Sequence, residues 1–382
     1  MLSTHQPGLS TLARLVLVFL ALSLATLSSP RAHADRVEGW QTGATEVILG
    51  LVGAHDARLD DEGYFERWMV FVRLPSGGFI QAAFILTHLG PGSRHAAIDV
   101  IRVAPPIGST PGTAAEFYRC AAKQETAKTS PDRLDLAFGD AQSLRVDGDT
   151  LRLRTDAWGY ALELDIDLAK ANAGFRPGEQ PLLYPNGGTV ALWLPATSAR
   201  VTGRERLGDS GWVSISGEGY VEWGLSNKLP QTLAQSMLRF QGRSGDIAVA
   251  AFELRAPKVF ESTTHTWLVV TEGKRTIAWT VAAQSKVTSS RKDASKASRR
   301  TPTRYALRGE TAAGAMSLEV RSTGLQLRED VLAPVPPFIR AFVEAFVQPV
   351  NDFDGARFEL RLPDGRTVKG RGTSVFSTIY DP

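Results

Sequence analysis

The sequence predicts an all-β protein built as two antiparallel, barrel-like domains with one short C-terminal helix. Short segments in which apolar and polar residues alternate recur along the chain, the period-2 signature of half-buried strands. Gly-, Asn-, Asp- and Pro-rich turns separate them at regular intervals. The strand-rich stretches before and after about residue 197 are similar in length, and helical spacing is confined to two segments. Many short strands with regular turns indicate sandwiches or barrels.

The N-terminus sets the compartment. Arg14 precedes an apolar run from Leu15 to Ala25, and Ala32-His33-Ala34 follows. A positive n-region, a short apolar core and an A-x-A end are the parts of a secretory signal peptide. The core is shorter than the roughly 20 residues of a membrane span. Cleavage after Ala34 removes 34 of 382 residues, leaving 348 in the periplasm or outside the cell.

Residues 68–74 form the first strand, closed by Pro75-Ser76-Gly77-Gly78 and answered by 79–86. Residues 113–123, around the single cysteine Cys120, read as a short helix. Asp147-Gly148-Asp149 joins 143–146 to 151–154 in a hairpin. The next strand, 160–168, alternates Leu162, Leu164, Ile166 and Leu168 with Glu163, Asp165 and Asp167. Pro185-Asn186-Gly187-Gly188 and Leu194-Pro195-Ala196-Thr197 mark the crossing between halves, placing one domain over 35–196 and the other over 197–382.

In the second half, Val213 and Ile215 lead into a Gly217-Glu218-Gly219 turn. Beyond it Val221, Trp223 and Leu225 share one strand face, with Tyr220 and Glu222 on the other. The chain restarts after Lys228-Leu229-Pro230 with Leu233, Met237, Leu238 and Phe240. A mobile basic loop is expected over 285–304, where seven basic residues from Lys286 to Arg304 accompany a lone Asp293 without apolar period. Pro336-Pro337 opens a helix over 337–347 with Phe338, Ile339, Phe342, Phe346 and Val347 at helical spacing. Pro363-Asp364-Gly365 then turns 356–362 into 366–370.

A single cysteine excludes an intramolecular disulfide, so stability rests on burial. Loss of Arg14 and Arg31 with the signal takes the formal charge from +3 to +1. No basic stripe with interleaved aromatics is present, so no nucleic-acid partner is expected. The plain reading of Lys286 to Arg304 is a solvated loop. Its functional reading is a peripheral contact with an anionic membrane surface, each Lys or Arg there adding about 1 kcal/mol.

The order of glycines, aromatics and prolines adds a family resemblance. It rests on Phe79-Ile80-Gln81, Gly174-Phe175, Gly187-Gly188-Thr189, and Leu192-Trp193-Leu194-Pro195 ahead of Val201-Thr202-Gly203. It continues through the stretch 211–240 and through Val331-Leu332-Ala333 leading by Pro336 into Phe338-Ile339. From Tyr64 to Tyr380 this order resembles the survival-factor-like, two-domain lipocalin-like (calycin) family, related to the AttH and carotenoid-hydratase group. The resemblance implies two consecutive calycin barrels with an apolar, lipid-like molecule inside or between them, and it calls for no cofactor. Where the family usually shows histidines this chain has Trp223 and Gln231, so activity resting on those histidines is not carried over.

Motifs of common catalytic machinery fail on inspection. Gly208-Asp209-Ser210-Gly211 is followed by Trp212 and has no histidine in position to act as base. His88 and His95 fit no zinc spacing, so no metal is expected. No phosphate-binding glycine loop occurs. Hydrating or cyclising a polyene requires an acid in an apolar cavity, its pKa raised by burial. Glu222, beside Trp223, and Asp99, between Ile98 and Val100, are the candidates. Alternation, however, turns Glu222 away from Val221, Trp223 and Leu225 and toward water. The expected ligand-binding residues are Trp68, Trp193, Val221, Trp223 and Leu225, with Gln81 as a polar anchor among Phe79, Ala83 and Ile85.

Two functions follow. One is an exported lipocalin-like carrier binding a lipid or isoprenoid-like molecule. The other is a hydratase, isomerase or cyclase acting on a polyene or terpenoid-like substrate through a buried acid. The missing histidines and the lack of a convergent acid cluster favour the carrier over the enzyme. N-terminal sequencing of the exported protein is expected to begin at Asp35; material beginning at Met1 would refute the signal.

Overall fold

The computed structural model describes residues 63–379 except 89–94, 104–114, 124–126, 129, 131–132, 158, 179–181, 294–295, 297, 334–343 and 345–348. The expected signal segment and, apart from Glu344, the helix expected at 337–347 lie outside the described residues.

Period-2 alternation builds two antiparallel sheets. The first contains β1 (Phe65–Arg73), β2 (Phe79–Thr87), β3 (His95–Val103), β4 (Ala115–Lys123), β5 (Asp135–Phe138) and β6 (Gln142–Asp147). It continues with β7 (Thr150–Ala157), β8 (Tyr160–Asp167), β9 (Leu182–Leu183), β10 (Thr189–Leu207) and β11 (Val213–Ser226). Its order is β4-β3-β2-β1-β11-β10-β8-β7-β6-β5, with β9 paired to β10. A one-turn helix, α1 (Pro230–Leu233), opens on proline and leads to the second sheet.

That sheet comprises β12 (Ser236–Ser244), β13 (Ile247–Arg255), β14 (Thr264–Glu272), β15 (Arg275–Thr280) and β16 (Gln284–Lys292). It is completed by β17 (Arg300–Thr311), β18 (Gly314–Asp330), β19 (Val350–Arg361) and β20 (Thr367–Thr378). Its order is β15-β14-β13-β12-β20-β19-β18-β17-β16. The chain is thus all-β and antiparallel in two sheets. Among the described residues no ladder joins β4 to β5 or β15 to β16, so neither path closes by hydrogen bonds.

The first sheet nevertheless curls over one of its faces. Phe84 of β2 meets Phe138 of β5 edge-on at 5.4 Å, and Tyr118 of β4 stacks on Tyr160 of β8 at 4.2 Å. The apolar side chains inside this curl include Val70, Ile98, Leu153 and Leu164. Phe240, Leu268, Leu318 and Phe358 form a separate interior on one face of the second sheet. A third apolar cluster forms where the two remaining faces meet. There Phe71 stacks on Phe79 at 4.9 Å and on Tyr220 at 5.2 Å, and Phe79 stacks on Phe353 at 5.4 Å.

Three expectations need correction. Residues 115–123 are a strand, paired with β3 from Val103↔Ala115 to His95↔Lys123; the ladder overrides local helical preference. The basic stretch 286–304 is largely β16 and the start of β17, two strands in antiparallel register. Its polarity belongs to an exposed sheet edge rather than to a loop. No turn occurs at 217–219, because β11 runs unbroken from Val213 to Ser226. The glycines are there for proximity: a Cβ on Gly219 would lie 2.0 Å from the carbonyl oxygen of Phe71, and one on Gly217 2.2 Å from that of Arg73. Strand β10 continues through 196–197, with register shifts against β11 between Trp193 and Ala199, and the chain changes sheets over 227–235.

Gly219→Ala is expected to destabilise the fold by about 1–3 kcal/mol, since β1 must move to admit the methyl group. A urea midpoint equal to that of wild type would refute the close approach of the two strands.

Candidate functional site between the sheets

Strand β1 faces two interiors. Glu66, Trp68, Val70 and Val72 point into the curl of the first sheet, while Met69 and Phe71 point toward the second. On β11, Val221, Trp223 and Leu225 point into the curl, and Tyr220 and Glu222 point toward the second sheet. The five apolar residues expected to bind a ligand therefore stay together: Trp68, Trp193, Val221, Trp223 and Leu225 all belong to the interior of the first sheet. The Trp223 ring lies 4.7 Å from Trp193 and 6.3 Å from Trp68. The Arg176 guanidinium sits 3.9 Å from the Trp193 ring centre.

These indoles are organised by a carboxylate absent from the sequence expectations, the fully buried Glu66. Trp68 Nε1 and Trp223 Nε1 donate to Glu66 Oε1 at 2.9 and 2.8 Å, and the Tyr64 hydroxyl donates to Oε2 at 2.6 Å. The signal was present in Tyr64-Phe65-Glu66-Arg67-Trp68, where alternation puts the acid on the tryptophan side.

Gln81, Asp99 and Glu222 lie on the opposite face. Glu222 does not meet water: it is 1% exposed, because the second sheet covers the face that alternation assigned to solvent. Arg239 Nη1, from β12, donates to Glu222 Oε1 at 3.0 Å, and Arg67 Nη2 contacts the same oxygen. Burial pulls the Arg67 pKa below its ordinary value despite Glu222. Burial also opposes the charge of Arg239, but Glu222 and Tyr220 outweigh it and hold the pKa up.

Asp99 sits opposite Ala83, and Gln81 opposite Ile101, on β3 and β2. Across from them, β18 supplies Glu329. Burial raises the Glu329 pKa, and the charge of Asp99 raises it further. Asn351 Nδ2, which donates to Glu329 Oε2 at 2.7 Å, works the other way, as do Arg239 and Arg67. Ser377 is the cross-strand neighbour of Asn351. Among the described residues, the buried Oε1 of Gln81, Oγ of Ser377 and Nε atoms of Arg67 and Arg239 have no hydrogen-bond partner.

The region thus combines a carboxyl biased toward its protonated form, an ion triad and unpartnered polar atoms beside an aromatic wall. A carboxyl in such a setting is chemically suited to act as an acid. Glu329, Asn351 and Arg239 left no trace in the sequence pattern, since only the packing of one sheet on the other brings them to Asp99 and Glu222.

Glu222→Gln is expected to cost about 3–5 kcal/mol in urea denaturation, because two arginines lose their buried counter-charge. Glu329 binds its proton more tightly folded than unfolded. Its stabilising contribution is therefore complete below the unfolded-state pKa and is lost as pH rises through the folded-state value. Glu329→Gln should remove that component from the pH dependence of stability; an unaltered profile would contradict the raised pKa.

No family model and no curated protein matches the sequence. Solved structures do share the fold. CghA, solved with Sch210972, matches with TM-score 0.59 and 13% identity over 84% of this chain and 90% of its own. A putative AttH from Nitrosomonas europaea matches with TM-score 0.56 and 14% identity, over 92% of this chain and 99% of its own. Kievitone hydratase from Nectria haematococca matches with TM-score 0.54 and 12% identity, over 90% of this chain and 96% of its own. The last is named for a reaction, and this corrects the expectation that leaned away from an enzyme, which had relied on missing histidines and an unseen acid cluster. In fold, the chain is a two-sheet calycin protein of the AttH and CghA type.

Proposed function

We propose that the chain is an exported, cofactor-independent hydratase, isomerase or cyclase. Its substrate is an apolar polyene or terpenoid-like molecule held between the two calycin-like sheets, and Glu329 is the proton donor. The carrying observation is the raised pKa of Glu329 beside Asp99, on a face shared with stacked aromatic rings. A carboxyl whose burial makes it hold its proton more tightly than in water is better suited to protonate a carbon–carbon double bond than a solvated carboxylate. The π pair forms the new C–H bond, and Glu329 is left as a carboxylate.

The resulting cation gains from the neighbouring charge of Asp99. Addition of water gives hydration, and loss of a neighbouring proton gives isomerisation. Attack by a second double bond within the substrate, followed by proton loss, gives cyclisation. In each case the proton released returns to Glu329. Burial keeps the Tyr220 phenol protonated, so it serves as a hydrogen-bond donor and not as a base.

The test is turnover of a panel of linear polyenes and terpenoids followed by mass spectrometry, scoring products isomeric with the substrate or heavier by one water. Glu329→Gln should lower turnover by about 10²–10⁴-fold while substrate binding is retained. Wild-type activity should fall as pH rises past the Glu329 pKa, and the variant should lack that limb. Full activity in Glu329→Gln would sink the assignment.

A further inference from the structure

Five strands of the second sheet carry arginine at one level. Arg304 on β17 faces Arg321 on β18, which faces Arg357 on β19; Arg357 faces Arg371 on β20, and Arg371 faces Arg243 on β12. By alternation they project from the face that carries Phe353 and Val375, opposite to the Phe240–Phe358 interior. Arg73 of β1 joins them, its Nη1 donating to the carbonyl of Arg371 at 3.0 Å.

Like charges directly opposite one another weaken a ladder. The ends of this row are neutralised: Arg243 reaches Glu218 at 2.6 Å and Asp246 at 4.0 Å, and Arg304 reaches Glu319 at 3.7 Å. The middle members, Arg321, Arg357 and Arg371, have no carboxylate partner among the described residues. Two of them, with Arg73, line an open cleft of about 390 Å³ between the first hairpin and the second sheet, bordered also by Gly77, Thr323 and Gln326.

We propose that this cleft is a binding site for a small phosphate-bearing anion, with diphosphate as its minimal form, held by Arg73, Arg357 and Arg371. Neighbouring strands lie about 4.8 Å apart, which spaces successive guanidinium groups for a ligand carrying two anionic groups. The planar fork of arginine suits phosphate oxygens, and a multiply charged anion relieves the repulsion that the ladder otherwise bears. Along one face of β19 run Asn351, Phe353, Gly355 and Arg357, so the cleft lies beyond Phe353 from the partner of Glu329. The proposal does not rest on the catalytic reading.

Calorimetric titration of the exported chain with inorganic diphosphate at low salt should give saturable binding that weakens as salt is added. Arg357→Gln and Arg371→Gln should each weaken it by about tenfold or more. Neither should lower the Tm of the free protein, since each removes a repulsion. Arg275→Gln, an exposed arginine outside the row, should bind as wild type. In unsubstituted protein, diphosphate should protect Arg357 and Arg371 from phenylglyoxal, read by peptide mass mapping.

Absence of saturable binding, unchanged affinity in both glutamine variants, or unprotected arginines would each overturn the site. Vesicles of phosphatidylglycerol, compared with phosphatidylcholine, separate the sources of phosphate. Displacement of the protein from them by diphosphate would identify a lipid headgroup as the occupant of the same cleft. Vesicle binding without any binding of soluble diphosphate would refute a small-anion site.

Discussion

Strand β1 and the Gly219–Ser226 half of β11 are covered on both sides, so along them each step of one residue moves a side chain into a different interior. This constraint explains the run Trp68-Met69-Val70-Phe71-Val72, apolar throughout where a half-exposed strand would alternate. It also governs the charges. The buried carboxylates Glu66 and Glu222 cannot turn to water, and each must find partners within its own interior. Glu66 is met by three neutral donors, and Glu222 by two guanidinium groups. A register slip of one residue would exchange these environments and leave both acids mismatched.

The same constraint separates three carboxyls chemically within a few strands. Glu66 sits among indoles and a phenol, Glu222 among cations, and Glu329 beside an amide and a second carboxylate. Environments that pull acidic groups apart in this way divide labour among them. The ion triad also ties the sheets together, since Arg67 and Glu222 come from the first and Arg239 from the second. The geometry around Glu329 is thereby held by groups tied to one another.

Much of the fold was legible from the chain. The hairpins at 75–78, 147–149 and 363–365 carry turn residues and alternation that local chemistry enforces. The grouping of Trp68, Val221 and Trp223 followed from the same periodicity. What failed was everything that depends on who covers a face. Alternation identified the side of β11 that Glu222 occupies, but it could not say that a second sheet lies there. The glycines at 217 and 219 looked like a turn because a glycine needed for close strand approach carries the same letter as one needed for a bend. The arginines at 243, 304, 321, 357 and 371 are scattered in sequence and meet only through nonlocal register.

Strand β16 ends the second sheet, paired only with β17 among the described residues. An open strand edge is a template onto which a second chain can add and from which fibrils grow. Here that edge is mostly exposed, carries Lys286 and Lys292, and is irregular in register between Val287 and Ser290. Approaching copies meet like charge and a kinked backbone instead of a flat row of free amides. A protein without disulfides is in this way shielded from edge-to-edge aggregation by the residues that had suggested a membrane tether.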